Sequence, residues 1–209
     1  MKVFVVGGAV EYARFLKNHT LVDSVEDADV VLFTGGEDVT PSLYGCKKHP
    51  TTYCNQKRDM KEKEVFNSIR PNQVALGICR GSQFLCVMNG GLLVQNCYGH
   101  AIGHTHAIVG MDMMYQITST HHQMQYPYNL EPSEYSVLYK SETPLSGSYE
   151  GDKIDSETVL IFGEPEIVLY HKEGLPKCLA VQGHPEMIPN SPVAEMISNL
   201  VSDLVDESN

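Results

Sequence analysis

Along the first half of this chain, short runs of consecutive apolar residues alternate with segments of helical pattern. Val3 to Val6 is the first run, and it ends in Gly7-Gly8. Glu11 to Asn18 follows as a predicted helix. Val30 to Thr34 is the second run, ending in Gly35-Gly36, and Asp59 to Arg70 has helical composition closed by Pro71-Asn72. Val74 to Ile78 is the third run, and a helix is predicted from Ser82 to Asn89, stopped by Gly90-Gly91. Short apolar runs bounded by glycine read as buried strands. Strand–helix alternation implies parallel pairing through right-handed crossovers. In such sheets a site lies beyond the carboxyl ends of the strands, which is where these glycines fall.

The pattern changes after Gly99. Short β-type stretches, at Tyr135 to Tyr139, Thr158 to Phe162, Ile167 to Tyr170 and Cys178 to Gln182, are separated by Pro, Gly and charged turns. They predict hairpins added to the sheet or covering one edge. Lys140 to Ser156 is polar and rich in Gly and Ser, and predicts a mobile loop. Pro192 to Val205 is an amphipathic helix: Pro192 suits its first turn, and Val193, Met196, Ile197, Leu200, Val201 and Leu204 share one face. No linker or repeat interrupts the pattern, so residues 1–209 read as a single α/β domain.

The net charge of −11 removes nucleic acid as an expected partner. Lys57, Arg58, Lys61 and Lys63 form the one basic group, but Asp59, Glu62 and Glu64 interleave with it, which reads as a solvated helix face. No apolar stretch reaches the roughly 18 residues of a membrane span, and the first apolar run is too short for a secretory leader. The six cysteines (46, 54, 79, 86, 97 and 178) show no paired spacing, so free thiols in a reducing cytoplasm are expected. Cys46, His49 and Cys54 lie near one another, as do His100, His104 and His106. Neither group has a second half at finger-like spacing, and no metal is expected.

One cysteine stands apart. Cys79 sits in Gly77-Ile78-Cys79-Arg80-Gly81-Ser82-Gln83, between a strand and a helix, with glycine two residues before and two after. That is the layout of a nucleophile elbow, a tight turn that needs small neighbours where the backbone crowds itself. A helix N-terminus there favours the thiolate and offers N–H groups to an oxyanion. A thiol nucleophile needs a base, and the base an orienter. Val181-Gln182-Gly183-His184-Pro185-Glu186, after the last predicted strand, supplies both. Pro185 fixes the backbone between His184 and Glu186, so the carboxylate can reach back to the imidazole.

With these residues in order, the chain resembles a class I glutamine amidotransferase domain. In that family the elbow reads Gly-x-Cys-x-Gly-x-Gln and the base segment His-Pro-Glu. The resemblance implies a flavodoxin-like three-layer α/β fold, with a mostly parallel central sheet and added antiparallel hairpins. It makes Cys79 the nucleophile, His184 the general base and acid, and Glu186 the orienter. It places Gln83 against the glutamyl group and assigns the oxyanion to the N–H groups of Arg80 and Gly36. Thr34-Gly35-Gly36-Glu37-Asp38-Val39-Thr40-Pro41-Ser42-Leu43-Tyr44-Gly45 is similar to a loop of the gamma-glutamyl hydrolase branch, which includes gamma-glutamyl-gamma-aminobutyrate hydrolases. Arg58-Asp59 and Thr120-His121-His122-Gln123 match that branch too, which implies that His121, His122 and Gln123 line the pocket. Two positions depart from the pattern. Gly183 stands where the family usually has Trp, which predicts a wider pocket on the leaving-group side. Asn96 stands where the hydrolases commonly carry Asp.

The resemblance implies cleavage of the γ-amide of glutamine through a cysteinyl thioester, with no cofactor, and ammonia released for a synthase on another chain. A free-standing γ-glutamyl hydrolase acting on γ-glutamyl amides is the alternative. A catalytically dead binding module is a third reading, against which the intact Cys79, His184 and Glu186 set argues.

Overall fold

The apolar runs form the middle of one large sheet. The computed structural model describes residues 1–208. In chain order it contains β1 (Lys2–Val5), β2 (Thr20–Leu21), β3 (Val30–Phe33), α1 (Gln56–Ser68), β4 (Val74–Ile78), α2 (Arg80–Met88), β5 (Leu92–Val94), β6 (Asn96–Cys97) and β7 (Ala101–Gly110). It continues with β8 (Met113–Thr120), β9 (Met124–Tyr126), β10 (Tyr135–Ser141), β11 (Tyr149–Glu150), α3 (Ser156–Phe162), β12 (Pro165–Tyr170), β13 (Lys177–Val181) and α4 (Pro192–Ser208). The nine-stranded sheet has the order β2-β1-β3-β4-β13-β12-β10-β7-β8. It is parallel from β2 to β13 and antiparallel from β13 to β8.

Helices cover both faces of the parallel part, which is why its strands are apolar on both sides. Along β4, Val74, Leu76 and Ile78 pack with α4, whose Val193, Ile197 and Val201 are fully buried. Ala75 faces the other way, toward Phe66 of α1 and Phe84 and Leu85 of α2. This is the α/β, mostly parallel, helix-covered sheet with added antiparallel strands that the sequence predicts. No helix among the described residues is long and apolar enough to cross a membrane.

The return of β13 to the centre positions the site. It pairs in parallel with β4, with Val181 opposite Ile78. The segments that follow the two strands therefore leave the sheet side by side, and the N–H of Cys79 donates to Val181 O at 2.8 Å.

Three expectations about elements change. Glu11 to Asn18 is only a short 3-10 turn, Val10–Ala13, followed by turns. Its backbone makes i→i+3 bonds, and the Lys17 N–H then goes to Ser198 Oγ of α4 at 2.8 Å instead of continuing a helix. Thr158 to Phe162 is helical, because Asp155 caps α3: its carboxylate accepts from Glu157 N at 3.0 Å and Thr158 Oγ1 at 2.9 Å. Lys140 to Ser156 is anchored rather than loose. Glu164 accepts from Leu145 N, Ser146 N and Tyr149 Oη within 3.0 Å, and β11 pairs with β6. β7 and β8, where the sequence reading names no element, form a long hairpin turned by Met111 and Asp112, both with φ near the left-handed helical value (48° and 59°).

Candidate active site

The elbow is built by close approach. Cys79 has φ 53° and ψ −109°, a conformation rarely adopted outside glycine, and it caps α2. A Cβ on Gly77 would lie 2.5 Å from Gly81 O, and one on Gly81 would overlap the Phe33 carbonyl. The two glycines therefore let the start of α2 sit directly on β3 and β4. The Cys79 carbonyl is held from below by Ser82 N at 3.0 Å, Ser82 Oγ at 2.6 Å and Gln83 N at 3.3 Å. The first N–H groups of a helix have no partner within it, so the Arg80 N–H lies at a helix start where an anion is favoured.

The Arg80 side chain points the other way. It is buried, forms ion pairs with Asp59 and Glu62 of α1, and lies 5.1 Å over the Phe84 ring. The solvated helix face expected for α1 is thus wrong in part, since Asp59 and Glu62 are 1% and 3% exposed. With Met60, Val65 and Phe66 as its only large apolar residues, α1 cannot fill its inward face with hydrocarbon. Charges fill it, paired. Glu62 also accepts from Arg58 Nε at 2.8 Å, and Asp59 accepts from Thr40 N at 2.8 Å.

Arg58 carries this network to the second glycine loop. Its guanidinium donates to Thr34 O at 3.1 Å, Thr34 Oγ1 at 3.2 Å and Gly35 O at 2.9 Å, and to Glu37 at 3.2 Å. Gly36 has φ 142°, and a Cβ there would strike this guanidinium. A Cβ on Gly35 would lie 3.2 Å from the His184 ring and 2.7 Å from Tyr12 Oη. The Gly35-Gly36 loop therefore lies against the imidazole, on the side sequence reasoning assigned to the oxyanion.

His184 and Glu186 meet as expected. Glu186 Oε1 is 2.6 Å from His184 Nδ1, and both side chains are 6% exposed. The main chain of His184 is clamped to β8: its N–H donates to Thr118 Oγ1 at 2.8 Å, and Thr118 Oγ1 donates to His184 O at 3.1 Å. Arg14 Nε holds the Glu186 carbonyl. Burial opposes an imidazolium here, but hydrogen bonds and charge from Cys79 and Glu186 outweigh it and push the His184 pKa up to about 10. The Tyr12 ring sits 6.2 Å from the imidazole, and its hydroxyl is pushed up by burial and by the nearby Glu186 and Cys79 charges.

The remaining sequence-predicted residues divide. Gln83 is buried and its Nε2 donates to Gln123 O at 2.8 Å. His121 Nδ1 reaches the same carbonyl at 2.8 Å. Gln123 in turn donates to Thr52 Oγ1 at 3.1 Å. Burial, then the nearby His100 charge, lower the His121 pKa well below the usual imidazole value, so His121 is neutral. His122 stands apart from these three. It is half-buried and pairs with Asp38 at 3.1 Å, and that bond raises its pKa. A cleft of about 750 Å3 opens beside Tyr12, Thr34, Gly35 and Arg58.

Gly183 does not widen a pocket. A Cβ there would lie 2.6 Å from both Ile117 Cγ1 and Thr118 O, so β8 occupies the space next to it. Asn96 is tied to Glu150, to which its Nδ2 donates at 2.7 Å. Sequence reasoning missed Asp59 and Glu62 as supports of the elbow, and Tyr12 as a neighbour of the base. The signal for the first two was an interior helix short of apolar residues; Tyr12 gave none. All six cysteines are free thiols. Among the described residues, only His100, His106 and Glu166 bring three metal-capable atoms together.

Residues 5–143 match the Peptidase C26 family, an interval that holds Cys79, Gly36 and the His121-His122-Gln123 segment and ends before His184. Protein NtpR of Enterococcus hirae is 32% identical over 74 residues, 34% of this chain and 31% of that protein. The chain thus matches about a third of the length of that relative. The glutamine amidotransferase-like protein YvdE of Lactococcus lactis subsp. lactis is 26% identical over 194 residues, 85% of this chain and 72% of that protein. A solved structure described as a GMP synthase subunit from Thermoplasma acidophilum superposes with a TM-score of 0.63 at 16% identity, covering 99% of this chain and 94% of that one. At that identity the likeness is one of fold.

Proposed function

The chain belongs to the Peptidase C26 family, and from that premise we propose that it cleaves the γ-amide of glutamine through a cysteinyl thioester, releasing ammonia. The observation that carries this reading is the continuous chain from Glu186 through His184 to a cysteine on a strained strand–helix turn.

The raised His184 pKa favours an imidazolium that can deliver a proton to a leaving nitrogen. In the reaction, the Cys79 sulfur attacks the γ-carbonyl carbon, and the carbonyl π pair moves onto oxygen. That oxyanion is held by the N–H groups of Arg80 and Gly36. Each such donor is worth about 2.7–4 kcal/mol of barrier. As the tetrahedral intermediate collapses, the C–N bond breaks and the His184 Nε2 proton passes to the departing nitrogen. The neutral imidazole then takes a proton from water, whose oxygen attacks the thioester carbon. The C–S bond breaks, and glutamate leaves with thiolate and imidazolium restored. Glu186 stays ionised and fixes the imidazole tautomer. Gln83, held by the Gln123 carbonyl, sits one helical turn from Cys79 and bounds the glutamyl pocket with His121 and Gln123.

A second reading is a free-standing γ-glutamyl hydrolase, favoured by the family's peptidase name and by the 34–45 loop, whose Thr40 is tied to the Asp59 network. Under the first reading a synthase on another chain takes the ammonia. Purified protein assayed for ammonia from glutamine, and for amine from γ-glutamyl amides, separates the two. Strong amide cleavage without a partner favours the hydrolase, and weak glutaminase that rises on adding a synthase favours the amidotransferase. Cys79→Ala is expected to abolish both activities and the γ-glutamyl adduct on Cys79 in intact-protein mass spectra. An alanine variant with wild-type activity rejects the thioester in either reading.

A further inference from the structure

A buried polar cluster apart from the triad lies where β10 ends. Ser141 closes β10, and past it His106 of β7 and Glu166 of β12 meet directly, with Nε2 and Oε1 3.0 Å apart. His100 Nδ1 is 3.8 Å from the same oxygen. All three side chains are at least nine-tenths buried, and one ligand atom from each lies within 4.8 Å of the other two. We propose that His100, His106 and Glu166 bind a divalent transition-metal ion, with Zn2+ as the best fit, at a structural site beside the catalytic turn.

The spacing suits such an ion. Bonds of about 2.0–2.2 Å in tetrahedral geometry put ligand atoms roughly 3.4 Å apart. The 3.0 and 3.8 Å contacts bracket that value, and the third pair of ligand atoms lies within 4.8 Å. Two imidazoles and one carboxylate select zinc-like metals over magnesium or calcium, which prefer all-oxygen sets. A fourth corner is left for water.

The surroundings complete the arrangement. If His100 binds through Nδ1, its Nε2 faces Glu164 Oε1 at 3.2 Å, the carboxylate–imidazole–metal relay that orients metal-bound histidines. Glu164 is fully buried, with Leu145 N, Ser146 N and Tyr149 Oη already bound to it. As a hydrogen-bond network alone, the cluster is incomplete. Glu166 Oε2, His106 Nδ1 and His100 Nε2 lack a well-aligned partner, although Ser119 Oγ stands 3.1 Å from His100 Nδ1 and Ser141 Oγ donates to Glu166 Oε1 at 3.1 Å. Buried polar atoms are seldom left this way. The site also touches the base turn, since the N–H of Gln182, two residues before His184, donates to Glu166 O at 2.8 Å. The ion would thus pin β7 and β12 behind His184 without entering the reaction.

The test uses chelator-stripped full-length protein in a Cys79→Ser background, which removes the reactive thiol as a competing ligand. Co2+ titration should show one equivalent bound, with visible bands of low-coordinate N/O ligation and no thiolate charge transfer. Zn2+ should displace it and raise the melting temperature by several degrees. His106→Asn and Glu166→Gln should each weaken binding at least tenfold, whereas His49→Gln, in the other Cys/His group, should not. Should either variant fail to fold, imidazole 15N shifts on Zn2+ titration of the Cys79→Ser protein decide the matter, because His100 and His106 must move and His49 must not. No stoichiometric binding, binding indifferent to His106 and Glu166, or a thiolate–cobalt band each overturns the proposal.

Discussion

The turn after β13 and the turn after β8 each bury an imidazole, yet the two histidines are driven in opposite directions. His184 is pushed up to about 10, and His121 is pushed well below the usual value. Burial penalises the imidazolium in both. The difference is in the neighbours. His184 lies between Cys79 and the Glu186 carboxylate, whereas His121 meets a backbone carbonyl and the His100 ring, 4.5 Å away centroid to centroid. Burial alone makes a neutral histidine, and a carboxylate hydrogen-bonded to the ring favours a charged one. Arg80 is the same rule at its limit, a guanidinium kept inside by two carboxylates.

The largest effect expected from breaking this contrast is at the base. His184→Ala should cost roughly 10³-fold in kcat/KM or more, within or above the 10²–10⁴ range for general acid–base catalysis. Glu186→Gln should fall at the low end of that range, since an orienter does not carry the proton; equal losses would show that Glu186 does more than orient. Asp59→Asn leaves the Arg80 charge half-paired and should lower the unfolding free energy by about 3–5 kcal/mol in urea titrations. A change under about 1 kcal/mol, typical of exposed pairs, would restore the solvated-face reading of α1. Gly183→Ala forces the turn after β13 away from Ile117 and Thr118 of β8 and should cost about 1–3 kcal/mol of stability. A neutral effect would mean that β8 yields and the pocket can widen.

The smallest effect belongs to His121. His121→Asn should change kcat by less than about tenfold, because a neutral, buried histidine held by a backbone carbonyl moves no proton in the proposed cycle. Its signature is in the pH dependence of stability. A depressed imidazole contributes stability above its unfolded pKa, about 6.5, and loses it as pH falls below. His184, raised, contributes fully below about 6.5 and loses that contribution as pH climbs toward 10. His121→Asn should therefore flatten the acid side of a stability–pH curve, and Glu186→Gln the alkaline side. The reverse pattern would contradict the assignment of opposite shifts.

Much of the fold could be read from residues close in sequence. The three apolar runs are β1, β3 and β4, and Pro192 does start the amphipathic helix α4. What failed had competing local chemistry. Asp155 turned a β-like apolar run into α3. The Gly77–Cys79–Gly81 spacing and the His184–Glu186 spacing each imposed a local geometry the structure reproduces. His104, grouped with His100 and His106 by sequence, has no place in the buried cluster; Glu166, some sixty residues on, does.

By itself, then, the sequence determined the local devices: an elbow that only glycine neighbours allow, and a carboxylate two residues past a histidine across a proline. Those follow from steric limits acting over a few residues. The tertiary structure alone decided which devices meet. It inserted β13 beside β4, so that two distant turns share one edge, and it turned α1 inward, so that charges read as solvated came to hold Arg80. Strand order and helix burial arise from packing across the whole sheet, and no local period in the chain encodes them.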